Sequence, residues 1–377
     1  MKTQHPIARL IALALLAQIG LSWQLWYCGP ARSLPRISVW ENGLPGDPSF
    51  QHIQAIVLLA LLGWLALFPQ SRKGLLAVLV WVIWMVVQDL NRLQPWLYFY
   101  LLSWIVLLSG PAVPDEKIRS GLRWLLAAVY TWGGLNKLTP YFAVDNFPWF
   151  CEAFAWTKPL GAAPIVGYGV ALVEFLFGPG LLWKTSRPVF RWVIVAFHLF
   201  IITALSPLGL DWNTVVIPWN LAMAGMVWTL SGSTASPFPV GSQLNFSKIW
   251  PLVLVMWLAW VMPALNIIHC WDEPLSWKMY SNTQQEASFC GKPCPEITGI
   301  WKQYAYDNGS KLLLDDWAMA ELHVPVYNSA RAFRRIAHYL CHCTLQPDSA
   351  GVHLLKVERW KRTSESWEII PCDKISQ

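Results

Sequence analysis

Long apolar runs separated by short polar segments fill the first 268 residues of the chain. Most of these runs approach the roughly 17–25 residues that a helix needs to cross the hydrocarbon core of a bilayer. We therefore predict nine membrane-spanning helices. The runs lie at residues 7–26, 53–68, 75–90, 96–108, 118–135, 164–183, 190–205, 215–230 and 249–268.

The pattern changes abruptly to mixed polar sequence after residue 268. Residues 328–341 have the apolar spacing of an amphipathic helix, and residues 352–360 with 367–370 have the alternation of a β-hairpin. The sequence therefore predicts a polytopic α-helical membrane domain over residues 1–268. It also predicts a small, water-exposed α+β domain over residues 269–377.

Composition places the chain in the same class. Hydrophobic residues make up 55% of it and charged residues only 13%, which is far from the average of a soluble globular domain. The chain is expected to be an integral protein of a plasma or inner membrane, with the lipid bilayer as its first partner.

The distribution of Lys and Arg predicts the orientation, because basic residues collect on the cytoplasmic face. The face that holds the N-terminus carries Lys2, Arg9, Arg72, Lys73, Lys117, Arg119, Arg123, Lys184, Arg187, Arg191 and Lys248. The other face, before the C-terminal region, carries only Arg32, Arg36, Arg92, Lys137 and Lys158. We expect a cytoplasmic N-terminus and an exported C-terminal domain. Since this bias accounts for much of the net charge of +6, we predict no nucleic-acid partner.

Six of the eight cysteines lie in the C-terminal region, namely Cys270, Cys290, Cys294, Cys341, Cys343 and Cys372. An even number of cysteines on an exported face predicts disulfides, although the sequence does not choose among the pairings. One alternative is a metal site formed by His338, His342, Cys341, Cys343 and the pair Cys290 and Cys294. Another is a redox-active pair of Cys290 and Cys294. We favour structural disulfides and predict no metal ligand, because the spacings match no standard zinc pattern.

Besides the basic residues assigned to the cytoplasmic face, the ionisable residues of interest within or at the ends of the predicted spans are Asp89, Arg92, Lys137, Glu174 and His198. Ionisable groups inside a membrane are costly and are functional candidates by default. Each also has a structural explanation. Asp89 and Arg92, three residues apart, can form a salt bridge on one helix face, and Lys137 can mark the membrane surface. Glu174 can be a neutral hydrogen-bonding acid, and His198 can be a packing residue.

Lys137, Glu174 and His198 lie on neighbouring predicted spans and together have the composition of a proton-abstraction site. We assign them as candidate catalytic residues, with the amine of Lys137 as the base. Gly133 and Gly134 precede the lysine and would let a helix or a flat ligand approach the backbone.

The segment YTWGGLNKL, which contains Lys137, resembles the HTTM family, the membrane module shared with vitamin K-dependent γ-glutamyl carboxylases. The helix VEFLFGPGLLW, the helix VAFHLFIITALSP and the segment DLNRLQPWLYFYLL carry the rest of the resemblance. It implies that Lys137 deprotonates a quinol, such as a naphthoquinol, while Glu174 and His198 shape or polarise the site. The predicted ligand-binding residues are Gly133, Gly134, Asp89, Arg92 and Trp96.

The resemblance covers roughly residues 7–230, and the C-terminal region of about 109 residues does not match the long lumenal region of the carboxylases. Peptide glutamate carboxylation is therefore not implied. An alternative hypothesis is a non-enzymatic membrane scaffold, or an assembly or export partner, whose cysteine-rich domain binds another protein.

Overall fold

The structure is a computed structural model that describes residues 4–29, 32–40, 48–110, 113–232, 246–281, 286–291, 297–306, 311–343, 350–357 and 365–372. Helices cover all nine of the predicted apolar runs. The helices up to residue 256 are α1 (Gln4–Leu21), α2 (Trp23–Tyr27), α3 (Pro48–Leu67), α4 (Arg72–Gln88), α5 (Pro95–Leu108), α6 (Asp115–Lys137), α7 (Phe147–Cys151), α8 (Lys158–Gly161), α9 (Pro164–Leu182), α10 (Arg187–Leu205), α11 (Val216–Ser231) and α12 (Phe246–Met256). The last of these continues through a π-helical turn and a 3₁₀ segment to Ile268.

Within the described part of the chain, four helical segments are long and apolar enough to cross a membrane. They are Phe50–Leu67, Pro164–Leu182, Arg187–Leu205 and Ile249–Ile268. The helix α6 is longer than any of these, but its first turns carry several charged residues that lower its hydropathy. The expectation of a mostly helical protein suited to a bilayer is confirmed, whereas the count of nine crossings stays a prediction.

The chain forms two compact units. Unit 1 comprises Met1–Gly20, Ile56–Val82 and Pro95–Asn282, and unit 2 comprises Leu21–Ala55, Ile83–Gln94 and Thr283–Gln377. Both units are discontinuous in sequence, whereas the predicted domains are continuous. Unit 2 is discontinuous because residues far apart in the sequence form hydrogen bonds with one another. The Glu321 carboxylate, for example, accepts the backbone N–H groups of Ser33 and Leu34 at 3.1 and 2.7 Å.

The close packing of α6 against α9 organises unit 1. Glycines on both helices make it possible. A Cβ atom on Gly134 would overlap the backbone of Phe175, and one on Gly178 would overlap the side chain of Thr131. Without side chains at these points the two backbones come into contact, so polar groups on the two helices can reach each other.

Unit 2 contains a four-stranded antiparallel sheet of strand order β2-β1-β3-β4. Its strands are β1 (Glu286–Cys290), β2 (Lys311–Leu313), β3 (Gly351–Val357) and β4 (Glu365–Pro371), and its helices after residue 290 are α13 (Thr298–Tyr304), α14 (Leu314–Leu322) and α15 (Ala330–Cys343). The antiparallel pairing of β3 with β4 confirms the predicted hairpin. The helix α15 corresponds to the predicted amphipathic helix, since Phe333 and Ile336 are buried while Arg331 and Arg334 are exposed.

Candidate functional site

An ion pair joins α6 to α9 in the interior of unit 1. The Lys137 Nζ atom lies 2.8 Å from both carboxylate oxygens of Glu174, and the two residues are only 9% and 7% exposed. Gly133 leaves room for this contact, because a Cβ atom there would come within 2.8 Å of the Glu174 Oε1 atom. The lysine predicted from sequence is therefore not extended into solvent but held against a buried carboxylate.

A second polar group joins α6, α10 and α11. The Tyr130 hydroxyl lies 2.7 Å from the Nε2 atom of His198, and the Nδ1 atom of His198 lies 2.8 Å from the Oδ1 atom of Asn220. All three residues are buried. His198 thus has a partner on each ring nitrogen.

The Lys137–Glu174 pair and the Tyr130–His198–Asn220 group lie on the wall of one cavity of about 280 Å³. Tyr130, Lys137, Glu174, His198 and Asn220 all line it. Tyr130 and Lys137 are seven residues apart on α6, so they lie on one face of the helix, separated by two turns or about 10 Å.

The remainder of the cavity wall is largely apolar and aromatic. The segment between α6 and α9 contributes Phe142, Phe147, Phe150 and Trp156, and Phe197 and Met223 lie on α10 and α11. A largely apolar cavity with a few convergent polar groups is typical of a small-molecule site.

A short segment after α12 completes the wall with Met279 and Tyr280. The Tyr280 hydroxyl accepts a hydrogen bond from the Asn213 side chain at 3.1 Å. Burial raises the pKa of Tyr280, and the bond from Asn213 acts in the opposite direction. The tyrosine therefore stays a neutral phenol.

The structure brings the three predicted catalytic residues, Lys137, Glu174 and His198, to one cavity. The predicted ligand-binding residues are placed differently. Gly133 and Gly134 lie against α9, and Trp96 is buried on α5 beside Tyr100, with ring centroids 6.4 Å apart. Among the described residues, none of these three lines the cavity.

Asp89 and Arg92 belong to unit 2, where they form a buried network instead of the expected mutual salt bridge. Asp89 pairs with Arg32 at 2.8 Å. Arg92 donates to the backbone carbonyls of Leu25 and Met85 at 3.1 and 2.8 Å. The expectation was wrong because α4 ends at Gln88 and residues 90–92 form a 3₁₀ turn, so the two side chains do not share one α-helical face.

The charges in this network compensate for burial. The Asp89 carboxylate pairs with the Arg32 guanidinium and accepts the backbone N–H groups of Ile37 and Asn91, each at 3.2 Å. Asp89 therefore connects residues 32–37 to the turn that follows α4.

The prediction of disulfides in the C-terminal region is confirmed in part. Cys341 on α15 is bonded to Cys372 after β4. Cys270 is exposed and unbonded, and Cys290 lies at the end of β1. Cys294 and the side chain of Cys343 lie outside the described residues.

The alternative metal site loses one ligand to this disulfide, since Cys341 has no free thiolate. His338 and His342 remain one turn apart on α15, with their Nε2 atoms 3.1 Å from each other. In the described part of the chain, no group of three or more His, Cys, Asp or Glu side chains is arranged to hold a metal ion.

Sequence reasoning missed Tyr130 and Asn220 as site residues. The spacing of seven between Tyr130 and Lys137 was a usable signal for the tyrosine. Asn220 is a lone amide in an otherwise apolar run, which indicates a buried hydrogen-bonding role. Its partner on α10 could not be read from the sequence.

Comparison of the chain with protein-family models, curated proteins and solved structures finds no match.

Proposed function

We propose that unit 1 binds a quinol, or a similar lipid with an aromatic hydroxyl head group, and that Lys137 with Glu174 deprotonates it. The observation that carries this proposal is the buried Lys137–Glu174 pair at 2.8 Å on the wall of an apolar cavity. An ion pair buried in this way contributes little net stability for its desolvation cost. Its position on a cavity wall supports a chemical role.

The pair accepts one proton in a balanced step. A ligand hydroxyl gives its proton to the Lys137–Glu174 pair, which then consists of an ammonium beside a neutral carboxylic acid. The ammonium stays next to the new oxyanion and stabilises it, as preorganised charges do in many enzymes. This result is the same whichever partner holds the shared proton beforehand.

Deprotonation makes the quinol a reductant for molecular oxygen. The quinolate passes two electrons to oxygen and gives up its second hydroxyl proton, which yields the quinone and hydroperoxide. The resemblance of residues 130–138 to the HTTM family supports this choice of substrate class and the role of Lys137. The cofactor-like molecule is then a naphthoquinol or a related lipid quinol.

The test is oxidation of 2-methyl-1,4-naphthohydroquinone by purified protein in lipid nanodiscs, measured as oxygen consumption and as the formation of quinone and hydrogen peroxide. We expect Lys137→Ala to lower the rate about 100-fold or more, as is usual when a general base is removed. Lys158→Ala is the matched control, because Lys158 forms an exposed pair with Glu152.

Equal rates for Lys137→Ala and Lys158→Ala would overturn the assignment of the base. Because Lys137→Ala leaves Glu174 unpaired, the thermal unfolding of each variant is measured alongside. Lys137→Gln, which can hydrogen-bond to Glu174 but has no positive charge to stabilise the oxyanion, is expected to retain the fold and to lose most of the activity.

A non-enzymatic scaffold is the second candidate, favoured by the fact that the same ion pair links α6 and α9 and so contributes to helix packing. A scaffold of this kind would retain its cellular function in Lys137→Met. It would lose that function when the cysteine-rich C-terminal region, the predicted protein-binding part, is disrupted.

We further propose that the N-terminus is cytoplasmic and the C-terminal region extracytoplasmic. The distribution of Lys and Arg supports this orientation. The Cys341–Cys372 disulfide also supports it, since disulfides persist in oxidising compartments.

A further inference from the structure

The orientation of the Asn220 side chain follows from its hydrogen bonds. Its Nδ2 group donates to the backbone carbonyl of Val216, one turn earlier on α11, at 2.8 Å. A carbonyl can only accept, so the amide nitrogen must face Val216. The Oδ1 atom is thereby directed at His198.

This orientation determines the tautomer of His198. Because the Oδ1 atom of Asn220 accepts a hydrogen bond from the Nδ1 atom at 2.8 Å, the ring hydrogen resides on Nδ1. A charged imidazolium would be costly here, since neither hydrogen-bond partner of the ring is a carboxylate. The neutral ring therefore presents a lone pair at Nε2.

The lone pair of His198 in turn determines what Tyr130 can do. The Tyr130 hydroxyl, 2.7 Å from Nε2, must donate its hydrogen to His198. Its oxygen retains acceptor capacity, and Tyr130 lines the cavity. The phenol consequently offers the cavity an acceptor and no hydrogen.

Tyr130 and the Lys137–Glu174 pair form two polar positions along one helix face, about two turns apart. Between and around them the cavity wall is largely apolar. A ligand that uses both positions has a flat apolar body with an oxygen function at each end.

We propose that Tyr130 is a second hydroxyl-binding position of this cavity, at which the ligand donates to the phenol oxygen, and that the cavity therefore selects the two-hydroxyl reduced form over the quinone. This inference rests on the proposed function. A quinone carbonyl cannot donate a hydrogen bond, and Tyr130 can turn its own hydrogen towards such a carbonyl only by losing its bond to His198. The reduced ligand therefore binds at Tyr130, whereas the oxidised quinone forms no hydrogen bond there and dissociates more readily.

The test compares three probes by anaerobic binding titration: 2-methyl-1,4-naphthohydroquinone, its quinone, and 1-naphthol, which carries a single hydroxyl. The wild-type protein is expected to bind the hydroquinone about fivefold more tightly than either of the others, the usual contribution of one net hydrogen bond. Tyr130→Phe is expected to remove this advantage and to leave 1-naphthol binding unchanged. Tyr98→Phe is the control, because Tyr98 is also buried in unit 1 and bonded to a backbone carbonyl, and it does not line the cavity.

Variants of Asn220 test the positioning role of the amide. Asn220→Leu removes the acceptor for Nδ1, so the His198 hydrogen can move to Nε2 and the Tyr130 hydrogen becomes available to a carbonyl. We expect the preference for hydroquinone over quinone to fall to about equality in Asn220→Leu. Leu221→Ala is the control on the same helix, because Leu221 is exposed and does not line the cavity, and it is expected to retain the preference.

Equal losses of hydroquinone and 1-naphthol binding in Tyr130→Phe would overturn the second position and leave the Lys137 proposal standing. An unchanged preference for hydroquinone in Tyr130→Phe would also overturn the second position and leave the Lys137 proposal standing. A wild-type protein that binds none of the three probes would overturn both proposals.

Discussion

Each candidate ionisable residue within or beside the apolar spans satisfies its charge or hydrogen-bonding groups inside the protein. Lys137 has Glu174, His198 has Tyr130 and Asn220, and Asp89 has Arg32. Lys137 is 9% exposed, so it does not extend its amine to the membrane surface as the structural explanation required. Lys137, Glu174 and His198 also line a cavity, whereas Asp89 does not. This difference is why we propose a chemical role for the first three and a structural role for Asp89.

The buried charge of Asp89 predicts a large effect of its removal on stability. Asp89→Asn leaves Arg32 and Arg92 buried without a counter-charge, and loss of one partner of a buried pair costs about 3–5 kcal/mol. The matched control is Asp115→Asn, which breaks a partly exposed i,i+4 pair with Arg119 and should cost less than about 1 kcal/mol. Denaturant unfolding of the purified protein checks both values, and equal effects would contradict the assignment of Asp89 as a structural carboxylate.

At the scale of elements, the α6–α9 contact positions the candidate site, because it brings Lys137 on one helix against Glu174 on the other. The sequence predicts both helices and places glycines before the lysine. It does not predict which helix those glycines face, since an apolar helix in a membrane can pack against any neighbour of suitable shape. The contact depends on Gly134, whose Cβ would overlap the backbone of α9.

Alanine substitution of this glycine tests the contact. Gly134→Ala forces α6 and α9 apart and should destabilise the protein by about 1–3 kcal/mol, the usual cost of overpacking, together with loss of hydroquinone oxidation. Gly169→Ala on α9 is the control. A Cβ atom there would meet no atom within 4 Å, and alanine is the better helix former. Thermal unfolding followed by tryptophan fluorescence measures both variants, and an unaffected Gly134→Ala would show that the helices need not touch.

At the scale of the whole molecule, the proposed orientation assigns the loops and the C-terminal region to one side of the membrane or the other. The predicted nine spans place residues 269–377 outside the cytoplasm, and the loop that contains Lys184 inside it. Both statements can be tested on the intact cell, because Cys270 is exposed and unbonded and Lys184 is exposed between α9 and α10.

A membrane-impermeant maleimide should modify Cys270 in intact cells. A cysteine introduced as Lys184→Cys should react only after permeabilisation. Peptide mass mapping identifies the modified residues, and buried Cys151, which should react only after denaturation, is the internal control. The opposite pattern would reverse the proposed orientation.

Much of the helical part of the fold could be predicted from the sequence, because apolar runs of bilayer length have few alternatives to a helix. The α15 helix and the β3–β4 hairpin were also predictable, since their apolar periods are 3.6 and 2. The partners of Asp89 were not predictable. Arg32 is 57 residues distant from it in the chain, and no local pattern joins them.

For the candidate site, the sequence by itself determined which rare polar residues needed an explanation. In an apolar chain every buried ionisable group is costly, so Lys137, Glu174 and His198 stand out without a structure. Only the tertiary structure decided that these three share one cavity and that Asp89 and Arg92 belong to a different unit. It also decided that Tyr130 and Asn220 complete the site. The physical reason is that burial cost is a property of a residue type, whereas hydrogen-bond partners depend on how separate helices pack.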